Sequence, residues 1–339
     1  MIPNSKKNNY EEILPIKFIN NLTRFTYSRD LNNKIDFIKY KYSLIEIFKS
    51  LNKTSYLATK EIDNLNVYLL PNNQLYKTIK HSSEIVVFRY YTNSIDKEFL
   101  ISSTDNNIFI YEPLNEFNLI LSINSKLNIH NFLLTFNPKC EYFLIYYVEN
   151  CPNSIFLLEN GKTNKRTINI KESICKYLLL WSNSLNEEDY LILLCVRKVL
   201  IINMLKDEIY SENIFEQEAV HFHGYIYSKK AIDYLCFSSF NGYINIYDLF
   251  NKEIYKRIEC PNCKLIEIFQ LTDNYIVSSD ICFSEFVIID KEQGKIISSY
   301  VHDKKDCIYN IKYINVKNFG NCILTCGTNK VIHLWKPSI

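Results

Sequence analysis

Residues 234–248, YLCFSSFNGYINIYD, contain a strand, a turn and a second strand in one short phrase. The apolar run from Tyr234 to Phe237 ends in two small hydroxyl residues, Ser238 and Ser239. Asn241 and Gly242 then supply the backbone freedom a tight turn needs, and Tyr243–Asp248 alternates apolar and polar side chains, the pattern of a strand. Residues 323–336 (ILTCGTNKVIHLWK) and 99–111 (FLISSTDNNIFIY) repeat the phrase. Weaker copies run through 55–70, 142–158, 190–202 and 275–289. The copies close on Leu70, Tyr111, Leu158, Ile202, Tyr247, Ile289 and Trp335, with steps of 41, 47, 44, 45, 42 and 46 residues. A period in the forties built from short strands is that of a β-propeller assembled blade by blade, so the expectation is an all-β, seven-bladed propeller.

The flanks complete each blade. Apolar stretches upstream, Ile85–Tyr91, Phe132–Phe136, Tyr177–Trp181, Leu265–Leu271 and Ile308–Ile314, fall where an innermost strand belongs. Shorter, more polar stretches downstream, Leu75–Ile79, Leu119–Ile123, Ile254–Ile258 and Ile296–Tyr300, read as solvated outer strands, which gives four strands per blade. Val199–Ile202 does not alternate, as expected of a strand buried on both faces. The last copy stops three residues from Ile339, so its own fourth strand is lacking. Lys34–Tyr40 (KIDFIKY) has the character to supply it, closing the ring by pairing an N-terminal strand with the C-terminal blade and covering an exposed edge. Residues 1–33 then form an N-terminal arm, and 34–339 a single domain.

On these residues the chain resembles the WD-repeat family, over about residues 34–336. That family's terminal Trp-Asp is matched by Tyr247–Asp248 and in part by Ile289–Asp290 and Trp335–Lys336. Its upstream Gly-His is reduced to His81 and His302, neither of which follows a Gly. The resemblance implies that such a His bonds to a Ser or Thr and onward to the Trp. Blade seven would use His302, Thr325 and Trp335, and blade two His81 with Ser102 or Ser103, while packing holds the other blades.

Composition narrows the function classes. Hydrophobic residues make up 47% and aromatics 14%, ample for a buried core shared between neighbouring blades. With only 6 Gly, turn positions pass to Asn64, Asn72, Asn73, Asn106, Asn107, Asn241 and Asn329, since Asn tolerates left-handed backbone. Lys and Arg total 39 against 37 Asp and Glu, which argues against strong sequence-independent binding of nucleic acid. The basic pair Lys304–Lys305 is neutralised by Asp303 and Asp306. MIPNSKKNNYEEI has no apolar signal segment, and the longest apolar runs, Tyr177–Trp181 and Tyr190–Val196, are too short for a transmembrane segment. The eleven Cys, among them Cys195, Cys236, Cys322 and Cys326, lie mostly in or beside strands. Free buried thiols imply an intracellular, reducing setting, cytoplasmic or nuclear. The sequons at Asn21 and Asn52 are then chance matches.

Few residues invite chemistry. Cys260-Pro261-Asn262-Cys263 is half of a zinc motif, and His221 and His223 lie on one side of a strand start in the same blade. With no second pair at zinc spacing, the reading is a turn and two structural histidines; no metal, cofactor-binding or catalytic residue is assigned. Glu187-Glu188-Asp189 reads as an exposed acidic loop, Trp181 before it and Phe136 of blade three as core residues. No phosphate loop, nucleophile elbow or metalloprotease motif occurs, so the chain is read as not an enzyme; clustered, strongly perturbed carboxylates or histidines in the channel would be the sign of one. The leading function is a non-catalytic scaffold, a subunit of a multiprotein complex docking protein partners or peptides through its rim loops. The alternative is a phosphoinositide-binding propeller at a membrane surface. That group carries Arg-Arg-Gly, whereas Arg197–Lys198 here has no Gly after it and sits in a turn.

Overall fold

The computed structural model describes residues 17–19, 24–26 and 45–338, except for connecting segments at 71–73, 93–96, 125–128, 137–141, 149–153, 160–164, 170–174, 184, 187, 205, 207, 215–220, 240, 261–264, 281–284, 302–307, 317–319 and 328–330. The described residues form antiparallel sheets of four strands over 45–80, 85–124, 129–169, 175–214, 221–259 and 265–301, each in simple chain order. A further sheet over 308–338 has three strands of its own, and Lys17–Ile19 and Arg24–Thr26 both pair with its third strand, Val331–Ser338. The expected donor, Lys34–Tyr40, lies outside the described residues.

First strands lie innermost. Ile45–Lys49 touches Ile85–Thr92, contacts of the same kind run from each first strand to the next, and Ile308–Val316 touches Ile45–Lys49. The architecture is an all-β propeller of four-stranded blades. Each of the expected inner and outer stretches falls in the first or last strand of its sheet, except that Leu271 lies one residue past Leu265–Gln270. Second and third strands are the buried ones: Glu98–Thr104 is buried along its whole length, and Val199–Ile202 is buried on both faces as its apolar run requires. Fourth strands alternate, as in Glu253–Glu259.

The closing residues occupy third strands, with one correction of phase. A bulge in the outer strand sets Tyr111, Ile202, Tyr247 and Ile289 opposite Leu119, Ile209, Ile254 and Ile296. The equivalent pair in the first sheet is Tyr68 with Leu75, so the first copy closes on Tyr68, two residues before Leu70. Leu70 shares the strand face of Tyr68, which is why alternation alone does not separate them.

The acidic residue after the closing position has a defined task. Asp248 Oδ1 accepts the amides of Phe250 and Asn251 at 2.9 and 2.8 Å; Asp290 Oδ1 accepts those of Glu292 and Gln293, both at 2.8 Å. Asn203 does the same with the Lys206 amide at 3.0 Å. A carboxylate or amide here satisfies the turn's free N–H groups before the chain reverses.

Left-handed backbone is distributed differently from the sequence expectation. Among the described residues, the non-glycine positions with positive φ are Lys53, Ile62, Glu116, Phe117, Arg197, Lys230, Ala231 and Lys252, none of them Asn. Of the described turn asparagines, Asn64 and Asn107 begin strands, Asn106 lies in the bend before Asn107, and Asn241 precedes Gly242, which takes the positive φ of its turn. Asn72, Asn73 and Asn329 lie outside the described residues.

Lys230 and Ala231 join Lys229 and Ile232, which pair directly, with φ of 54° and 62°. Two positive φ values in a two-residue hairpin loop define a type I′ turn, for which Asn-Gly is the favoured pair. Both residues are exposed. Lys230→Asn with Ala231→Gly is therefore expected to stabilise the chain by about 1 kcal/mol, read as a raised urea midpoint at unchanged slope.

Candidate functional site

The inner strands bring polar side chains to the axis, one from most of the sheets. Lys312 Nζ lies 3.3 Å from Glu46 Oε2, linking the sheets over 308–338 and 45–80. Glu267 Oε2 accepts the Ile311 amide at 2.6 Å, linking 265–301 to 308–338. The Ile268 amide points at His223 Nδ1 at 3.5 Å, linking 265–301 to 221–259. The Tyr177 and His223 rings are 4.3 Å apart, and the Arg89 guanidinium lies 5.0 Å over Tyr177. Since Arg89 and Tyr177 belong to sheets separated by the one over 129–169, their contact joins inner strands that are not neighbours in the order of sheets.

Burial governs the chemistry of this cluster. It pushes the Glu267 carboxyl up to about 7, opposed by the nearby Lys312 ammonium and the Ile311 amide. Burial, with Lys312 and Arg89 alongside, pulls His223 down to about 3, so the imidazole is neutral. Perturbed groups in a channel are what an active site would show. Glu267 and His223 also each face a backbone amide of a neighbouring sheet, which links the blades.

Sequence reading named His223 as a structural histidine and Tyr177 as part of an inner strand, but missed that these side chains and Glu46, Arg89, Glu267 and Lys312 come together. Their spacing carries the signal: Glu46, Arg89, Tyr177, His223, Glu267 and Lys312 are separated by 43, 88, 46, 44 and 45 residues, the blade period with one sheet skipped. Aligning the inner strands would have collected them, whereas a search for local motifs does not.

The other candidate residues fall into place individually. Cys260 is buried among Ile258, Leu265 and Ile268, its amide bonded to the Gly242 carbonyl at 2.7 Å. Cys263 and the side chain of His221 lie outside the described residues, and His223 faces the Ile268 amide of the next sheet. Among the described residues, no three His, Cys, Asp or Glu side chains converge as a metal site. Glu188 is no free acidic tip: it accepts Tyr190 Oη at 2.7 Å, Asn203 Nδ2 at 2.8 Å and Lys206 Nζ at 3.0 Å, while Asp189 accepts Ser182 Oγ at 2.6 Å. Glu187 lies outside the described residues. Trp181 is 2% exposed and donates Nε1–H to Asp233 at 2.9 Å, a core residue as expected.

The fastening implied by the family resemblance is present in parts. His81 Nε2 lies 2.7 Å from Ser102 Oγ and 3.2 Å from Tyr111 Oη, and burial keeps this imidazole below its ordinary range. Trp335 Nε1 donates to Thr325 Oγ1 at 2.7 Å; His302 lies outside the described residues.

No protein-family model matches the sequence, and no curated protein does. Solved structures do match in fold. Two crystal structures of BBS1N in complex with ARL6DN, one soaked with mercury and one with lead, superpose with TM-scores of 0.67 and 0.66 at 10% identity, covering 88% of this chain and 92% of those. The class defined is a β-propeller of four-stranded blades.

Two measurements check this account. Ionised at neutral pH in the unfolded chain but protonated in the folded one up to about 7, Glu267 makes stability fall as pH rises from 4.5 to 7. His223 acts oppositely, costing stability as pH falls below 6.5, so the variant must be compared with wild type at each pH. Glu267→Gln keeps the acceptor for Ile311 and is expected to match wild type near pH 4.5 and exceed it in urea midpoint above pH 7; a variant less stable at pH 8 would mean that Lys312 outweighs burial. Thr325→Val preserves shape but leaves the buried Trp335 N–H without this acceptor, with an expected loss of about 1–3 kcal/mol in the same assay.

Proposed function

We propose that this chain is a seven-bladed, WD-repeat-like propeller, closed into a ring with N-terminal strands on its last sheet, that acts as a non-catalytic scaffold in a multiprotein complex. The pairing of Lys17–Ile19 and Arg24–Thr26 with Val331–Ser338, and the contact between Ile308–Val316 and Ile45–Lys49, support the closed ring. The retained Asp248 and Asp290 turns and the bonded pair Trp335–Thr325 support kinship with WD repeats.

The observation that carries the scaffold reading is the chemistry of the outer strands. They are edge strands, yet they display large apolar side chains at their bulges: Tyr76 is 43% exposed, Leu119 53%, Ile120 51%, Tyr255 64% and Ile297 41%. The sheets over 45–80 and 85–124 concentrate them. Phe117 packs against Tyr76 with ring centroids 6.1 Å apart, and Lys77 donates to the Glu116 carbonyl, which holds the 113–117 loop and its exposed Leu114 beside the first outer strand. Exposed apolar surface on a rigid array serves protein docking. The neighbour in fold, BBS1N, is itself in a complex with ARL6DN, which supports the same use of a propeller. No described helix is long and apolar enough to cross a membrane. The setting proposed is intracellular, cytoplasmic or nuclear, in keeping with Cys195, Cys236 and Cys260, which are buried and form no disulfide.

The test is recovery of cross-linked partners from the native cell with wild type and with Leu119→Ser/Ile120→Ser. Both positions are exposed, so the double variant is expected to change stability by no more than about 0.5 kcal/mol. Co-purifying protein is expected to fall severalfold. A wild-type chain that returns repeatedly as a free monomer would defeat the scaffold reading.

A further inference from the structure

At the junction of the sheets over 221–259 and 265–301, Lys291 occupies a position that three other sheets give to a buried apolar side chain. It directly follows Asp290, and its amide bonds to the Asn274 carbonyl at 2.8 Å. The matching amides are Met204 to Asp189 at 2.9 Å and Leu249 to Asp233 at 3.1 Å. Met204, Leu249 and also Pro113, which follows Glu112, are all buried. Lys291 is buried equally, at 7% exposure, in a slot built for a hydrocarbon.

Its ammonium sits 4.1 Å over the Tyr227 ring and, among the described residues, meets no carboxylate within ion-pair distance. The neighbouring charges are already engaged. Glu292 pairs with Lys229 at 3.5 Å, its carbonyl accepts Lys256 Nζ at 2.6 Å, and Asp273 accepts Gln270 Nε2 at 3.3 Å. The space over Lys291 is a cleft of about 290 Å³. Tyr227, Tyr234 and Tyr255 wall it: Tyr227 stacks on Tyr234 with ring centroids 5.4 Å apart, and Tyr255 lies tilted against Tyr234 at 5.2 Å. Tyr255 stands 64% exposed at the mouth.

We propose that this cleft is a docking site for an acidic side chain, an Asp or Glu carboxylate carried on an extended segment of a protein partner, with Lys291 as its counter-ion. A buried ammonium over an aromatic ring gains from cation–π attraction but retains unused donors, and a carboxylate satisfies them. Charge selects the guest. Three lysines against Asp273 and Glu292 leave a single positive charge in the cleft, which balances a carboxylate; a phosphate dianion would leave excess negative charge beside two carboxylates. The volume lies below that of most cofactor sites and suits one or two side chains. Burial lowers the Lys291 ammonium from its ordinary range, and an incoming carboxylate would reverse that.

The proposal rests on the chain being an interaction platform, but its test is separate, since it uses purified full-length protein and peptides alone. Immobilised peptides of about twelve residues carry a central Asp, Asn or phosphoserine between randomised positions, and retention of the protein is measured on each set. The Asp set is expected to retain about tenfold more protein than the Asn set, as for a desolvated ion pair. Lys291→Met keeps the side-chain length over Tyr227 and is expected to abolish the preference, while exposed Lys230→Ala leaves it intact. If Lys291→Met does not fold, Lys256→Glu at the cleft reverses the local charge and is expected to remove Asp retention. Equal retention of Asp and Asn peptides, retention of phosphoserine peptides alone, or an Asp preference surviving these variants would overturn the assignment. Any of those outcomes leaves the outer-strand reading to stand or fall on its own experiment.

Discussion

Every sheet in this chain has two faces to bury, and only the neighbouring sheets can cover them. That requirement organises the rest. Among the described residues, the apolar clusters straddle successive sheets: Tyr56, Leu65 and Val67 pack with Phe88 and Leu100; Ile192 and Ile201 with Leu235 and Phe237; Cys236 and Ile246 with Ile268 and Ile276; Val277 and Phe286 with Ile311 and Ile323. Each such side chain contributes about 1.5–3 kcal/mol by leaving water, and none of it is available to an isolated blade.

Apolar packing alone would allow neighbouring sheets to slide, and buried polar contacts fix the registration. Glu98, 1% exposed, accepts Tyr90 Oη of its own sheet at 2.7 Å and, from the preceding one, Ser50 Oγ at 2.5 Å and the Leu51 amide at 3.1 Å. Asp233 has the same place and habit: it takes Ser228 Oγ of its own sheet at 2.5 Å and Trp181 Nε1 of the preceding one at 2.9 Å. Both stand near the start of a second strand, at the end of the blade where the inner strand turns back. The axial contacts of His223, Glu267, Lys312 and Glu46 do similar work at the centre. In low dielectric a misregistered blade would leave these groups unpaired, so they penalise wrong packing more than they stabilise the right one.

The period was legible because alternation and turn chemistry act locally, and inner, buried and outer strands differ in polarity within a single copy. The phase of the first copy was not, because Tyr68 and Leu70 share a strand face and only the outer bulge distinguishes them. The turn asparagines misled for a related reason: sequence shows which residues tolerate left-handed backbone, while the geometry of each hairpin decides which must adopt it, and here Lys230, Ala231 and Lys252 do. The channel cluster and Lys291 escaped local reading because their meaning is relational. A lysine after Asp290 looks like any surface lysine until the equivalent positions prove to be Met204 and Leu249.

The same relational logic accounts for a recognisable fold in a sequence that matches no family model. The Gly-His phrase of WD repeats fixes a blade from within, through hydrogen bonds to its closing residue. Here the closing residue hydrogen-bonds within its blade as Tyr111 to His81 and as Trp335 to Thr325. Tyr247 instead reaches across to Ser211 of the preceding sheet at 2.9 Å, while Ile202 and Ile289 have no polar atom to contribute. Where the bond is absent, the closing position needs only to be large and buried, and many side chains meet that condition. Neighbour-on-neighbour burial thus asks of most positions only hydrophobic alternation, so this chain can be 10% identical to a solved structure while 88% of its length is covered in the superposition. A blade in such an array can do without a local fastening motif, because packing against its neighbours supplies the same constraint.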